Sequence, residues 1–117
     1  DWSSDVCSSD LGGDTDAAIR RAARLADGYF PGEGDPAKLA KLIERLHAEA
    51  EKIGRDPSEI KINVMFGAQM ADPAAGMAEL KALGVDRIMV PAFFFAGDGG
   101  LDRLQGFGES IIPLAAD

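Results

Sequence analysis

Gly12-Gly13-Asp14-Thr15, standing directly before a helical period, is the segment of this chain whose residue types could do chemistry. Paired glycines let the backbone come close to a ligand. Free N–H groups at the start of the following helix can hold a phosphate, with the Thr15 hydroxyl as a further donor. A plainer alternative is that Gly12-Gly13 only joins two segments and Thr15 only caps the helix. Asp14 and Asp16 count against a dianion, because carboxylates at a helix start already answer its positive end. Arg20, Arg21 and Arg24 could restore positive potential, or could be ordinary solvated surface. Phe93, Phe94 and Phe95 could wall a flat aromatic ligand or fill a core. His47, the only histidine, flanks an apolar helix stripe and reads as a half-exposed helix residue rather than a catalyst. No serine–histidine–carboxylate set, no paired metal ligands and no Gly-x-x-x-x-Gly-Lys phosphate loop occurs, so no metal site is expected.

The elements that would position these residues alternate short apolar runs with helical periods, which is the mark of repeated βα units on a parallel sheet. A first helix is expected over 15–25, capped by Asp14 or Thr15, with Ile19, Ala22, Ala23 and Ala26 inward. Gly28-Tyr29-Phe30 reads as a very short strand. Asp35-Pro36 supplies an N-cap followed by proline in the first turn of a strong helix. Leu39, Leu42, Ile43, Leu46, Ala50 and Ile53 line its inner face, and Gly54 stops it. Residues 60–66 form a strand ended by Gly67. Asp72-Pro73 opens a helix closed by Gly84, and residues 87–90 form the next strand. A weak last helix follows the loop 97–100, its pattern interrupted by Gly106, Gly108 and Pro113. In such a sheet ligands bind at the carboxyl ends of strands, which singles out 12–15, 31–34, 67–70 and 91–97.

The chain has 117 residues, a net charge of −8 and one cysteine. The acidic balance argues against nucleic acid or an anionic membrane as partner. No apolar run approaches the roughly 20 residues needed to cross a bilayer. Cys7 lies in the opening segment, so the remainder has no disulfide potential, and a reducing, cytoplasmic setting is expected. The opening segment, residues 1–11, resembles the in-frame translation of a common sequencing-adapter oligonucleotide; a natural polar extension is the alternative. On the first reading the native sequence begins near Gly12, and the strand that should precede it has been overwritten. Without Asp1, Asp5 and Asp10 the balance is 12 basic to 17 acidic groups, a net −5.

Residues 12–31, Gly54-Arg55-Asp56-Pro57 and Leu83-Gly84-Val85-Asp86-Arg87-Ile88-Met89-Val90 together resemble the luciferase-like monooxygenase family, whose members use FMN or the deazaflavin F420. Relatives show Gly-Gly-x-Ser where this chain has Gly12-Gly13-Asp14-Thr15, and tryptophan is common where Tyr29 stands. The resemblance implies the C-terminal part of a (β/α)8 barrel, an incomplete α/β fold of about three strands and four helices spanning 12–117; whole barrels have roughly 250 residues. It implies an oxidoreductase or monooxygenase in the intact protein, with the cofactor carrying hydride or oxygen chemistry. Gly12, Gly13 and Thr15 would contact the cofactor phosphate, and Phe66, Gly67, Phe93 and Phe94 would wall its ring. A small-molecule substrate, chosen by residues outside this stretch, and a homodimer of the intact enzyme also follow. The piece alone is expected to be inactive and, with open sheet edges, to associate with itself. The rival expectation is a small non-catalytic α/β domain for ligand binding or interaction.

Overall fold

Three of the four helix starts are written into the sequence by a side chain that accepts from the first turn. Thr15 Oγ1 accepts from Ala18 N at 3.2 Å, Asp35 Oδ1 from Ala37 N at 3.2 Å, and Asp72 Oδ1 from Ala75 N at 3.3 Å. Pro36 and Pro73 follow two of these caps, where a missing N–H costs nothing. The stops are equally local. Gly54 and Gly84 take φ of +76° and +87°, a region that disfavours any side chain.

The computed structural model describes residues 10–115, in which four βα units follow one another. They are β1 (Asp10–Gly12) and α1 (Asp16–Leu25), β2 (Gly28–Phe30) and α2 (Pro36–Lys52), β3 (Lys61–Met65) and α3 (Pro73–Ala82), β4 (Arg87–Met89) and α4 (Gly100–Ala115). Short 3-10 turns occupy Pro57–Glu59, Ala68–Ala71 and Ala92–Phe95. The strands pair in chain order, β1-β2-β3-β4, and every pair is parallel, because each helical crossover brings the chain back in the same direction. Four strands make an open sheet, whereas a closed barrel of this type takes eight.

The register places Leu11, Tyr29 and Ile62 in one row and Val64 beside Ile88. These side chains, with Phe66, join Ile19, Ala22 and Ala23 of α1, Leu39 and Leu46 of α2, and Leu80 of α3 in a single core. The alternate positions Phe30, Met65 and Met89 point to the other side, where Met65 is 47% exposed.

Two expectations are corrected. The strand count is four rather than three, since Asp10, Leu11 and Gly12 pair with Gly28, Tyr29 and Phe30. An edge position asks only for a few extended residues with main-chain donors and acceptors, and Leu11 adds an apolar side chain against the core. Residues 1–9 of the adapter-like segment lie outside the described residues. Ile53, assigned to the inner face of α2, is instead 54% exposed, because it is the C-cap and its backbone has left the helical path at φ −101°, ψ 8°. The last helix does form through Pro113, yet only Gly100 and Ile111 of α4 are buried.

Arg55 ties the units together. Its guanidinium donates to the carbonyls of Ala23 at 3.0 Å and Ala26 at 2.5 Å, covering the open C-terminal end of α1, and it meets Glu59 at 3.4 Å. Hydrogen bonds from a charged donor contribute about 1.5–3 kcal/mol each to stability. Arg55→Ala is therefore expected to lower unfolding stability by about 2–3 kcal/mol in a urea titration followed by far-ultraviolet circular dichroism. Arg55→Lys is expected to recover less than half of it, because a single ammonium lacks the fork that reaches two carbonyls.

Candidate functional site

At the carboxyl end of β1 the chain turns through Gly12 and Gly13 into the N-terminus of α1. Space demands both glycines: a Cβ on Gly12 would meet Phe30 O at 3.1 Å, and one on Gly13 would meet Ala18 Cβ at 3.0 Å. Gly13 also has φ +108°, which favours glycine in its own right. Thr15 caps the helix by accepting from Ala18 N, so its hydroxyl proton stays available to donate. The N–H groups of Asp16 and Ala17 have no acceptor within the helix, as at any helix start, and residues 12–17 are exposed.

Both carboxylates that counted against an anion are occupied elsewhere. Asp14 Oδ1 accepts from Gly32 N at 2.8 Å, fastening the loop after β1 to the loop after β2. Asp16 is paired with Arg45 of α2. Glu33 accepts from Gly34 N and Asp35 N at 2.9 Å each; the Asp35 N–H above all holds its carboxyl below the ordinary value. Gln69 spans two loops, its Oε1 accepting from Gly67 N and its Nε2 donating to Gly34 O, both at 3.1 Å. Beneath the loop, buried Tyr29 donates its hydroxyl to Gly13 O at 2.8 Å. Burial first, and the nearby Asp14 charge second, push the Tyr29 phenol up to about 12.

Across the sheet the aromatic candidates separate. Phe66 is fully buried and stands edge-on to Phe107 at 6.3 Å, so its ring packs against α4. Gly67 is exposed at the end of β3. Phe93 and Phe94 lie against each other at 4.5 Å and 33°, with Phe93 71% exposed. Phe95 turns to Phe107 instead. Their loop is gathered by Arg103, which donates to the carbonyls of Phe94 (3.5 Å), Ala96 (2.7 Å) and Asp98 (2.9 Å). Gly100 lies so close under Phe95 O that a Cβ there would overlap it. Gly12 to Thr15 and Phe93-Phe94 thus follow opposite edge strands, three interstrand spacings or roughly 14 Å apart along the sheet.

The remaining candidates fall outside this face. His47 lines a hollow at the amino ends of β3 and β4, with Ser58, Ile60 and Gly84. Arg20, Arg21 and Arg24 are exposed on α1. A cavity of about 470 Å³ opens on the helix side, between α3, β4 and α4, lined by Met77, Ile88, Phe107 and Ile111. Among the described residues no cluster of three or more His, Cys, Asp or Glu could hold a metal, and no helix is long and apolar enough to cross a membrane. The sequence reading missed Tyr29, Arg45 and Gln69. Only Tyr29 had a local signal, as the polar-tipped residue of a strand whose neighbours cannot reach the loop.

The structure is a parallel βα sheet with a glycine-opened helix start at the carboxyl end of its first edge strand. More narrowly, the chain belongs to the luciferase-like monooxygenase family, whose sequence model matches residues 10–98. Among curated relatives, uncharacterized proteins of Mycobacterium tuberculosis and Mycobacterium bovis are each 40% identical over 81 residues, covering 68% of this chain. The matched part spans only 26% of those relatives' length.

Tyr29 is the only tyrosine, so its ionisation can be read directly from phenolate absorbance. The folded chain is expected to titrate near 12 and the urea-unfolded chain near 10. A phenol whose pKa is raised by folding stabilises the fold fully below the unfolded value, and that contribution fades as pH rises through the folded value. Stability is therefore expected to fall between pH 10 and 12, more steeply than in Tyr29→Phe. Gly13→Ala is expected to lower the unfolding midpoint in thermal melts, since it adds both strain at positive φ and a contact with Ala18.

Proposed function

We propose that these βα units belong to a flavin- or F420-dependent oxidoreductase and that the loop 12–15 receives the cofactor phosphate. The supporting observation is the donor set. A Thr15 hydroxyl with its proton to give, and first-turn N–H groups of α1, face outward while Asp14 and Asp16 are bound to Gly32 and Arg45. That set suits a phosphate: hydroxyl and N–H donors at the positive end of a helix, with the competing carboxylates drawn aside. When bound, the cofactor would supply hydride or oxygen chemistry.

This chain's own residues bind and orient. Gly12 and Gly13 allow close approach, and Thr15 and the start of α1 donate. Phe93, with Phe94 behind it, offers an exposed aromatic surface for one side of a planar ring. Phe66 serves by packing α4 against β3 rather than by touching the ring. Substrate choice falls to parts of the enzyme outside these units. A homodimer of the intact enzyme belongs to the same reading and rests on the resemblance, while a cytoplasmic setting rests on the lack of cysteine after Cys7.

Fluorescence titration of the chain with FMN and, separately, with F420 tests the proposal and decides between them. One of the two is expected to bind. Thr15→Val is expected to weaken that binding about tenfold, the loss of one good hydrogen bond, while Thr15→Ser retains it. Binding of neither would sink the proposal and leave a non-catalytic α/β domain.

A further inference from the structure

The phosphate loop has one oriented peptide whose direction is set from below. Gly13 O accepts from the Tyr29 hydroxyl at 2.8 Å, and the Tyr29 ring is fully buried in the core row with Leu11 and Ile62. A trans peptide is planar, and its N–H points opposite to its C=O; no cis bond occurs among the described residues. With its carbonyl drawn toward the core, the Gly13–Asp14 peptide must therefore turn the Asp14 N–H away from the core, to the ligand side. Gly13 is the residue at which such a peptide could otherwise rotate cheaply, because glycine tolerates both signs of φ. The Asp14 carboxylate fixes the far side of the same peptide through Gly32 N at 2.8 Å.

The geometry points to Tyr29 as a positioning residue: its hydroxyl latches the Gly13–Asp14 peptide so that the Asp14 N–H joins the Thr15 hydroxyl and the first turn of α1 as an anion donor. This role rests on the phosphate reading above. It also gives the hydroxyl a use beyond packing, since a phenylalanine would fill the same core volume without holding the carbonyl. A tryptophan in its place would have to find the carbonyl with an indole N–H in a different position.

The test compares the chain and its Tyr29→Phe variant in binding FMN and riboflavin, which differ by the phosphate. Tyr29→Phe is expected to weaken FMN about five- to tenfold and riboflavin by less than about twofold, the loss being that of one donor to the phosphate. Equal weakening of both ligands, or an unchanged FMN affinity, overturns the latch. An unmutated chain that prefers neither FMN over riboflavin nor F420 over its phosphate-free deazaflavin overturns the phosphate site itself, and the latch's role falls with it. A measurement that needs neither ligand nor variant is the amide-proton relaxation of Asp14 caused by a soluble paramagnetic agent in isotope-labelled chain. A strongly relaxed, outward Asp14 N–H is expected, and a shielded one overturns the proposal even if Tyr29→Phe does not fold.

Discussion

Helix α1 is held at both ends, by its own cap and by groups from elsewhere in the chain, and the position of the loop 12–15 depends on that grip. A helix of ten residues is marginal on its own in water. Here Arg55 closes its C-terminal end through the Ala23 and Ala26 carbonyls, while Thr15 closes the other and Arg45 holds Asp16. Between the two ends, Ile19, Ala22 and Ala23 lie on the core, their small size letting α1 approach the sheet closely. A rigid helix delivers its positive end to a fixed point, and an anion can be recognised only if that point does not wander. The motif Gly54-Arg55-Asp56-Pro57 now has a mechanical account: Gly54 turns the chain out of α2, Arg55 reaches back to α1, and Asp56 caps the next turn by accepting from Ser58 N at 3.0 Å.

What could be read in the sequence was whatever is local. The Asp-Pro starts, the glycine stops and the apolar period of α2 each involve residues within a few positions of one another, and all but Ile53 lie where expected. The ties that build the site join residues 16, 18, 29 and 35 positions apart: Tyr29 to Gly13, Gly32 to Asp14, Arg55 to Ala26 and Gln69 to Gly34. No periodicity announces such a pair. Asp14 is one such case, since its residue type alone does not reveal that its carboxylate fastens the loop after β1 to Gly32 N. Phe66 is the converse case. It stands at the end of a strand, where ring-walling residues belong, but the pleat turns it to the helix side.

The fold also explains which parts lack neighbours. All four helices share the core with one face of the sheet, so among the described residues the opposite face and the outer edges of β1 and β4 carry no further helix or strand. α4, which begins beyond the stretch matched by the family, shows this most plainly: Leu101, Leu104, Ile112 and Leu114 are exposed, and β4 is an edge strand among the described residues. Proline inside α4 removes one hydrogen bond without ending the helix, a cost more easily borne where little is packed around it.

Arg103 gives the loop after β4 a different character from a free surface loop. Five donors on a planar group meet three carbonyls at alternate residues, Phe94, Ala96 and Asp98, so the backbone beneath the stacked Phe93 and Phe94 rings is already ordered. Restricting a residue's backbone costs about 1–2 kcal/mol in conformational entropy. For this loop that cost falls due when the chain folds, not when a ring settles on it. Whatever stacked there would meet a prepared platform and would not have to offset that ordering cost.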